Sequence, residues 1–158
     1  MSDFLSFDTL SLHAGQTLDS EFGSRAQPIH QTTSYVFTDT DTASSLFNLE
    51  RGGHVYNRIS NPTVGVLEQR VAALEGGSAS VCVSSGMSAV FCALTALVSQ
   101  GDHVVASANM YGGNISLLKN TLPRFGITAT FVDPTDMKQI ESALQENTKI
   151  IFGELIGN

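Results

Sequence analysis

Four short segments carry side chains and backbone groups suited to holding a charged or planar ligand. Val83-Ser84-Ser85-Gly86-Met87-Ser88-Ala89 stands where an apolar segment hands over to a helical one. The first amides of a helix have no internal acceptor, and the helix dipole adds positive potential there. Ser85, Gly86 and Met87 therefore offer backbone N–H groups to an anion, and Gly86 permits close approach. An ordinary strand–helix turn with a serine cap would read the same way. It is neither a Walker loop nor a dinucleotide fingerprint, because no Gly-Lys-Ser/Thr follows and the G-x-G-x-x-G spacing is missing. In Tyr56-Asn57-Arg58-Ile59-Ser60-Asn61-Pro62-Thr63, Tyr56 and Arg58 lie two apart in a stretch that reads as extended, which points both to one side. A hydroxyl beside a guanidinium suits a phosphate or carboxylate. A surface arginine and a packed tyrosine fit equally well. Met110-Tyr111-Gly112-Gly113 offers an aromatic that either stacks on a planar ring or plugs the edge of a sheet. Glu154-Leu155-Ile156-Gly157-Asn158 closes what reads as a strand.

The elements that must position these segments follow from pattern. Asn61 is a good N-cap, Pro62 suits the first helical position, and Gly76-Gly77 stop the helix. Between them Val64, Leu67, Val71 and Leu74 recur at helical spacing. Beyond this helix, residues 78–83, 103–106, 128–132 and 148–154 read as strands, alternating with helices at 86–98, 114–122 and 135–144. That alternation predicts crossover connections and a mainly parallel sheet. In open α/β sheets ligands bind at the carboxyl ends of strands. Ser85 to Met87, Tyr111, and Glu154 to Asn158 are all expected at such ends. Residues 1–60 read as an extended arm on a neighbouring subunit, with one short helix at 42–49. Residues 61–158 read as an incomplete cofactor-binding domain.

Composition narrows the function classes. The 158 residues carry a formal net charge of -7, against the basic face that a nucleic-acid binder needs. No apolar run approaches the ~20 residues of a membrane helix. The N-terminus shows no signal peptide. Cys82 and Cys92 lie in apolar runs and read as buried free thiols of a reducing cytoplasm. His13, His30, His54 and His103 show no ligand spacing with the cysteines, so no metal site is expected. Only 15% of the residues are charged, against about 25% in a typical soluble domain. With the nearly apolar run 149–158, this predicts a part of something larger.

The ordered set Thr9 to Gln16, Pro28 to Phe37, Tyr56 to Thr63, Leu74 to Gly77, Ser84 to Ala89, Tyr111 to Gly113 and Glu154 to Asn158 resembles the Cys/Met-metabolism enzymes dependent on pyridoxal 5'-phosphate. It covers nearly the whole chain and is highly specific as a set. The opening His13-Ala14-Gly15-Gln16 and the long stretch before Tyr56 favour the sulfhydrylase branch, which acts on O-acetylhomoserine with sulfide or a thiol. Cystathionine synthases and methionine or cystathionine lyases are the alternatives within the family. A non-catalytic cofactor-binding or assembly fragment is the alternative of another class. The resemblance implies an α/β fold of the aspartate-aminotransferase-like type (fold type I), here as the arm and the first part of the large-domain sheet. It implies that Ser85, Gly86 and Met87 hold the cofactor phosphate, joined by Tyr56 and Arg58 from a neighbouring subunit of a homo-oligomer. Tyr111 would stack on the pyridine ring and help move protons, with Asn158 near the ring hydroxyl and Glu154 close by. It also implies a cofactor-bonding lysine and a pyridine-pairing aspartate outside this chain, since Lys119, Lys138 and Lys149 fall in no matching motif.

Overall fold

Three five-residue strands, β1 (His103–Ser107), β2 (Thr128–Val132) and β3 (Thr148–Phe152), pair in the order β2-β1-β3. Both pairings are parallel, so β1 is the central strand and all three carboxyl ends lie at one edge. The computed structural model describes residues 5–157. These pack as two compact units, one ending at Cys82 and the other beginning at Val83.

In the second unit β1 is buried on both faces, as a central parallel strand requires. Val104 and Ala106 face a core formed by Leu94, Val98, Leu117, Leu118, Leu122 and Ile127, while Val105 packs with Val132 and Ala143 on the other side. Helix α4 (Gly86–Leu97) and the β1–β2 connection supply the first layer, and α6 (Met137–Ala143) supplies the second. The connection expected as one helix at 114–122 is composite. It runs as α5 (Gly112–Ser116), a π turn (Leu117–Thr121) and a 3-10 turn (Leu122–Phe125). Pro123 lacks an N–H to continue an α-helix, and the wider and tighter turns keep Leu117, Leu118 and Leu122 all buried on the sheet.

In the first unit α3 (Pro62–Glu75) begins and ends where its cap residues predict. The Asn61 side chain accepts the Thr63 N–H, and Gly76 closes the helix at φ 65, a left-handed conformation that glycine adopts without penalty. Two helices occupy the segment read as an arm: α1 (Phe7–His13), which the sequence did not signal, and α2 (Thr40–Phe47), expected at 42–49. α1 is only seven residues long, too short for a clear periodic pattern, and is held by its Ser6 cap. The Arg70 guanidinium donates to the carbonyl of Ala14, tying the end of α1 to α3.

Two further expectations are corrected. Residues 78–83 form no strand: the Cys82 N–H, a group that a ladder would use, donates instead to the Glu68 carboxylate of α3 at 2.9 Å, and the Ser80 hydroxyl donates to the Glu68 carbonyl. Both cysteines are free, but Cys82 is only half-buried and Cys92 is exposed on α4. Among the described residues no helix is long and apolar enough to cross a membrane.

His103 knots the three strands together. One ring nitrogen bonds the Thr148 hydroxyl at 2.8 Å and the other the Thr130 hydroxyl at 2.9 Å. Burial holds its imidazole below the ordinary value of 6.5. As pH falls through that value, the unfolded chain takes up a proton that the folded chain refuses, so stability falls toward acid. Denaturant unfolding followed from about pH 8 to about pH 5 is expected to show this loss, and His103→Gln to flatten that part of the profile. A slope unchanged by the substitution would contradict the assignment.

Candidate functional site

Three segments far apart in sequence meet here: those after β1 and β3 through their parallel register, and the start of α4, which does not follow the strand expected from the sequence, through the packing of Met87 beside Gly113. The first is the start of α4. Ser85 is its N-cap, and its hydroxyl accepts the Ser88 N–H at 3.1 Å. That cap uses the third N–H of the helix. The N–H groups of Gly86 and Met87, the first two, have no intrahelical acceptor and stay available. A Cβ built on Gly86 meets nothing within 4 Å, so the approach to these amides is open. The apolar, twelve-residue α4 directs the positive end of its dipole to the same place.

The second segment follows β1. Tyr111 is the N-cap of α5 with no side-chain cap bond, and its side chain is 49% exposed. The ring lies against Gly113: a Cβ there would collide with it and would stand 3.0 Å from the Met87 sulfur. The start of α4 and the Tyr111 ring are thus neighbours. The third segment follows β3. The strand stops at Phe152, two residues short of the expected end, and the released Glu154 turns its carboxylate to the Tyr111 loop. Its two oxygens accept the Tyr111 N–H at 3.0 Å and the Asn114 side-chain amide at 2.6 Å. Gly157 passes close to the Asn109 carbonyl, where a Cβ would come within 2.7 Å. Asn158 lies outside the described residues.

Ser85, Gly86, Met87, Tyr111 and Glu154 therefore gather at the carboxyl edge of the sheet. Asn114 joins them, although the sequence reading passed over it. It is 6% exposed with its Oδ1 unpartnered, and a lone asparagine in a helix start carries no signal of such a role.

Tyr56 and Arg58 belong to the first unit and are brought together differently than expected. Tyr56 bridges Ser34 in an isolated antiparallel contact, and the chain then turns, with the Ile59 and Ser60 N–H groups on the Tyr56 carbonyl. The turn folds the Arg58 guanidinium over the Tyr56 ring, 5.5 Å from its centroid. Strand alternation is not the cause of their meeting. The turn brings them together, and a cation–π contact results. Both residues remain exposed, so hydroxyl and guanidinium stay accessible.

Comparison with known proteins gives consistent matches. The family described as Cys/Met metabolism PLP-dependent enzyme matches residues 8–158. A homocysteine synthase of Schizosaccharomyces pombe is 50% identical over 152 residues, covering 96% of this chain and 35% of that protein. An O-acetyl-L-homoserine sulfhydrylase of Leptospira meyeri is 47% identical over 151 residues, covering 96% and 34%. Among solved structures, an O-acetylhomoserine (thiol)-lyase of Campylobacter jejuni carrying N'-pyridoxyl-lysine-5'-monophosphate superposes with a TM-score of 0.89 at 43% identity, covering 98% of this chain and 38% of that one. The chain spans about a third of the length of these relatives.

The packing of Gly113 yields a direct test. Gly113→Ala is expected to push the Tyr111 ring from its place and change the near-ultraviolet circular dichroism of tyrosine. Gly112→Ala, whose Cβ would meet nothing within 4 Å, is expected to leave it as it is. Equal spectra for the two variants would contradict this placement of the ring.

Proposed function

Because the chain belongs to the family of Cys/Met metabolism PLP-dependent enzymes, we propose that it forms the N-terminal part of an O-acetylhomoserine sulfhydrylase. Such an enzyme replaces the acetate of O-acetylhomoserine with sulfide or a thiol, giving homocysteine or methionine and releasing acetate. The relatives' activities support the substrate, and the site supports the cofactor. The observation that carries the reading is the meeting of open helix-start amides with an exposed tyrosine ring at one edge of a parallel sheet.

The residues fit pyridoxal 5'-phosphate. The free N–H groups of Gly86 and Met87 suit a phosphate, the empty space beside Gly86 leaves room for it, and the half-exposed Tyr111 ring offers a stacking face. When bound, the cofactor supplies an electron sink that eases proton removal from the amino acid. On this reading the start of α4 anchors the phosphate, with the Ser85 cap keeping the first turn in place. Tyr111 fixes the plane of the pyridine ring and its hydroxyl moves a proton. Tyr56 and Arg58 reach the phosphate of a neighbouring subunit, in a cytoplasmic homo-oligomer whose active sites are shared. The segment 1–60 serves as the contacting arm, and 61–158 as the first part of the cofactor-binding domain.

This chain alone is proposed to hold the cofactor without catalysing the reaction. Lys119 lies in the π turn, Lys138 in α6, and Lys149 is the second residue of β3, toward its amino end. None is at the carboxyl edge beside Tyr111, and the lysine that bonds the cofactor is proposed to lie outside this chain.

The complete protein, given O-acetylhomoserine and sulfide, is expected to form homocysteine and acetate in equal amounts. Failure to form homocysteine would refute the sulfhydrylase reading, and release of a keto acid and ammonia from methionine would favour a lyase. Arg58→Ala is expected to weaken pyridoxal phosphate binding by roughly tenfold or more, since a charge-assisted contact to phosphate is lost. Equilibrium dialysis measures this, and an unchanged affinity would remove Arg58 from the phosphate site.

A further inference from the structure

We propose that Glu154 is a positioning residue that acts through Tyr111: its carboxylate clamps the backbone on which the Tyr111 ring is presented. The inference rests on the cofactor reading above, because the ring is presented to the cofactor.

Both carboxylate oxygens are engaged by donors of the chain itself. Oε2 accepts the Tyr111 N–H at 3.0 Å, and Oε1 accepts the Asn114 Nδ2 at 2.6 Å. These contacts span 43 and 40 residues of sequence and join the chain after β3 to the loop after β1. On its other side, the Tyr111 carbonyl accepts the N–H groups of Asn114 at 2.9 Å and Ile115 at 3.2 Å. The Tyr111 backbone is therefore held at both of its polar groups, at the N–H by Glu154 and at the C=O by α5. Its own side chain makes no cap bond, which leaves the ring free to meet a ligand.

Asn114 makes the clamp dependent on Glu154. It is 6% exposed and its Oδ1 has no partner, so the bond to Glu154 is the one hydrogen bond that its side chain makes among the described residues. The amide orientation follows from chemistry, since a flipped amide would set its oxygen against the carboxylate. Removing the carboxylate leaves a buried amide with no partner, which is unfavourable. Asn114 would then turn toward another donor or acceptor. The start of α5, and with it the Tyr111 carbonyl, would move too. The ring would lose its fixed plane although no atom of Tyr111 had been altered.

The test is a double-mutant cycle in the complete protein, read by pyridoxal phosphate affinity and by the visible circular dichroism of the bound cofactor. Glu154→Ala is expected to weaken binding about tenfold and to reduce the dichroic band. Glu154→Gln, which can accept from only one of the two donors with its single oxygen, is expected to fall between it and the wild type. In a Tyr111→Ala background neither substitution should change the affinity further, because Glu154 acts only through Tyr111. Losses that simply add would overturn the clamp. If Glu154→Ala does not fold, the same cycle with Glu154→Gln decides. A wild-type protein that binds no pyridoxal phosphate would overturn the cofactor reading instead. The clamp is then judged from the tyrosine dichroism of the cofactor-free protein, where an unchanged spectrum in Glu154→Gln overturns it and a change like that of Gly113→Ala supports it.

Discussion

The central strand β1 is the constraint on which the site depends. Its backbone pairs in parallel with β2 on one side and β3 on the other, and Val104, Val105 and Ala106 are fully buried. Parallel strands need crossovers, and crossovers return each carboxyl end to the same edge. The Tyr111 loop and Glu154 meet there because β1 and β3 are neighbours in register, Ala106 beside Phe152. A one-residue slip would exchange the faces of β3 and carry Glu154 away from the Tyr111 N–H. His103, bonded to threonines on both flanking strands, ties the three together at the opposite end.

Charge enters the site locally. A chain with a formal net charge of -7 has no long-range attraction for an anion. The open amides of α4 and its dipole supply positive potential over a few ångströms, where net charge matters little. Glu154 places a negative charge at the same edge, yet its oxygens face the Tyr111 N–H and the Asn114 amide. The proposed anion binding at Gly86 and Met87 and the carboxylate after β3 are thus compatible, because each is matched by its own donors.

Much of this arrangement was legible in the sequence, for identifiable reasons. α3 could be read almost to the residue because its signals are local: an asparagine cap, a proline in the first turn and a closing glycine. β1, β2 and β3 could be located because apolar runs alternate with helical patterns, and their shared edge followed from the parallel topology. Residues 78–83 have the apolar composition of a strand, but composition makes a strand only where a partner is available, and here the Cys82 N–H goes to Glu68 of α3. The meeting of Tyr56 and Arg58 was anticipated, but its cause was not, since a turn rather than an extended stretch joins them. The role of Asn114 was invisible, because it depends on a carboxylate 40 residues away. Local chemistry can be read from local sequence, whereas a clamp made by tertiary contact cannot.

The proposed site lies at the carboxyl edge of this sheet, where pyridoxal phosphate would be held. A crystal structure of the complete protein with pyridoxal phosphate tests it most directly. Phosphate oxygens are expected within hydrogen-bond distance of the Gly86 and Met87 N–H groups, and the pyridine ring is expected to stack on Tyr111. A phosphate bound elsewhere, or a pyridine ring with no contact to Tyr111, would contradict it.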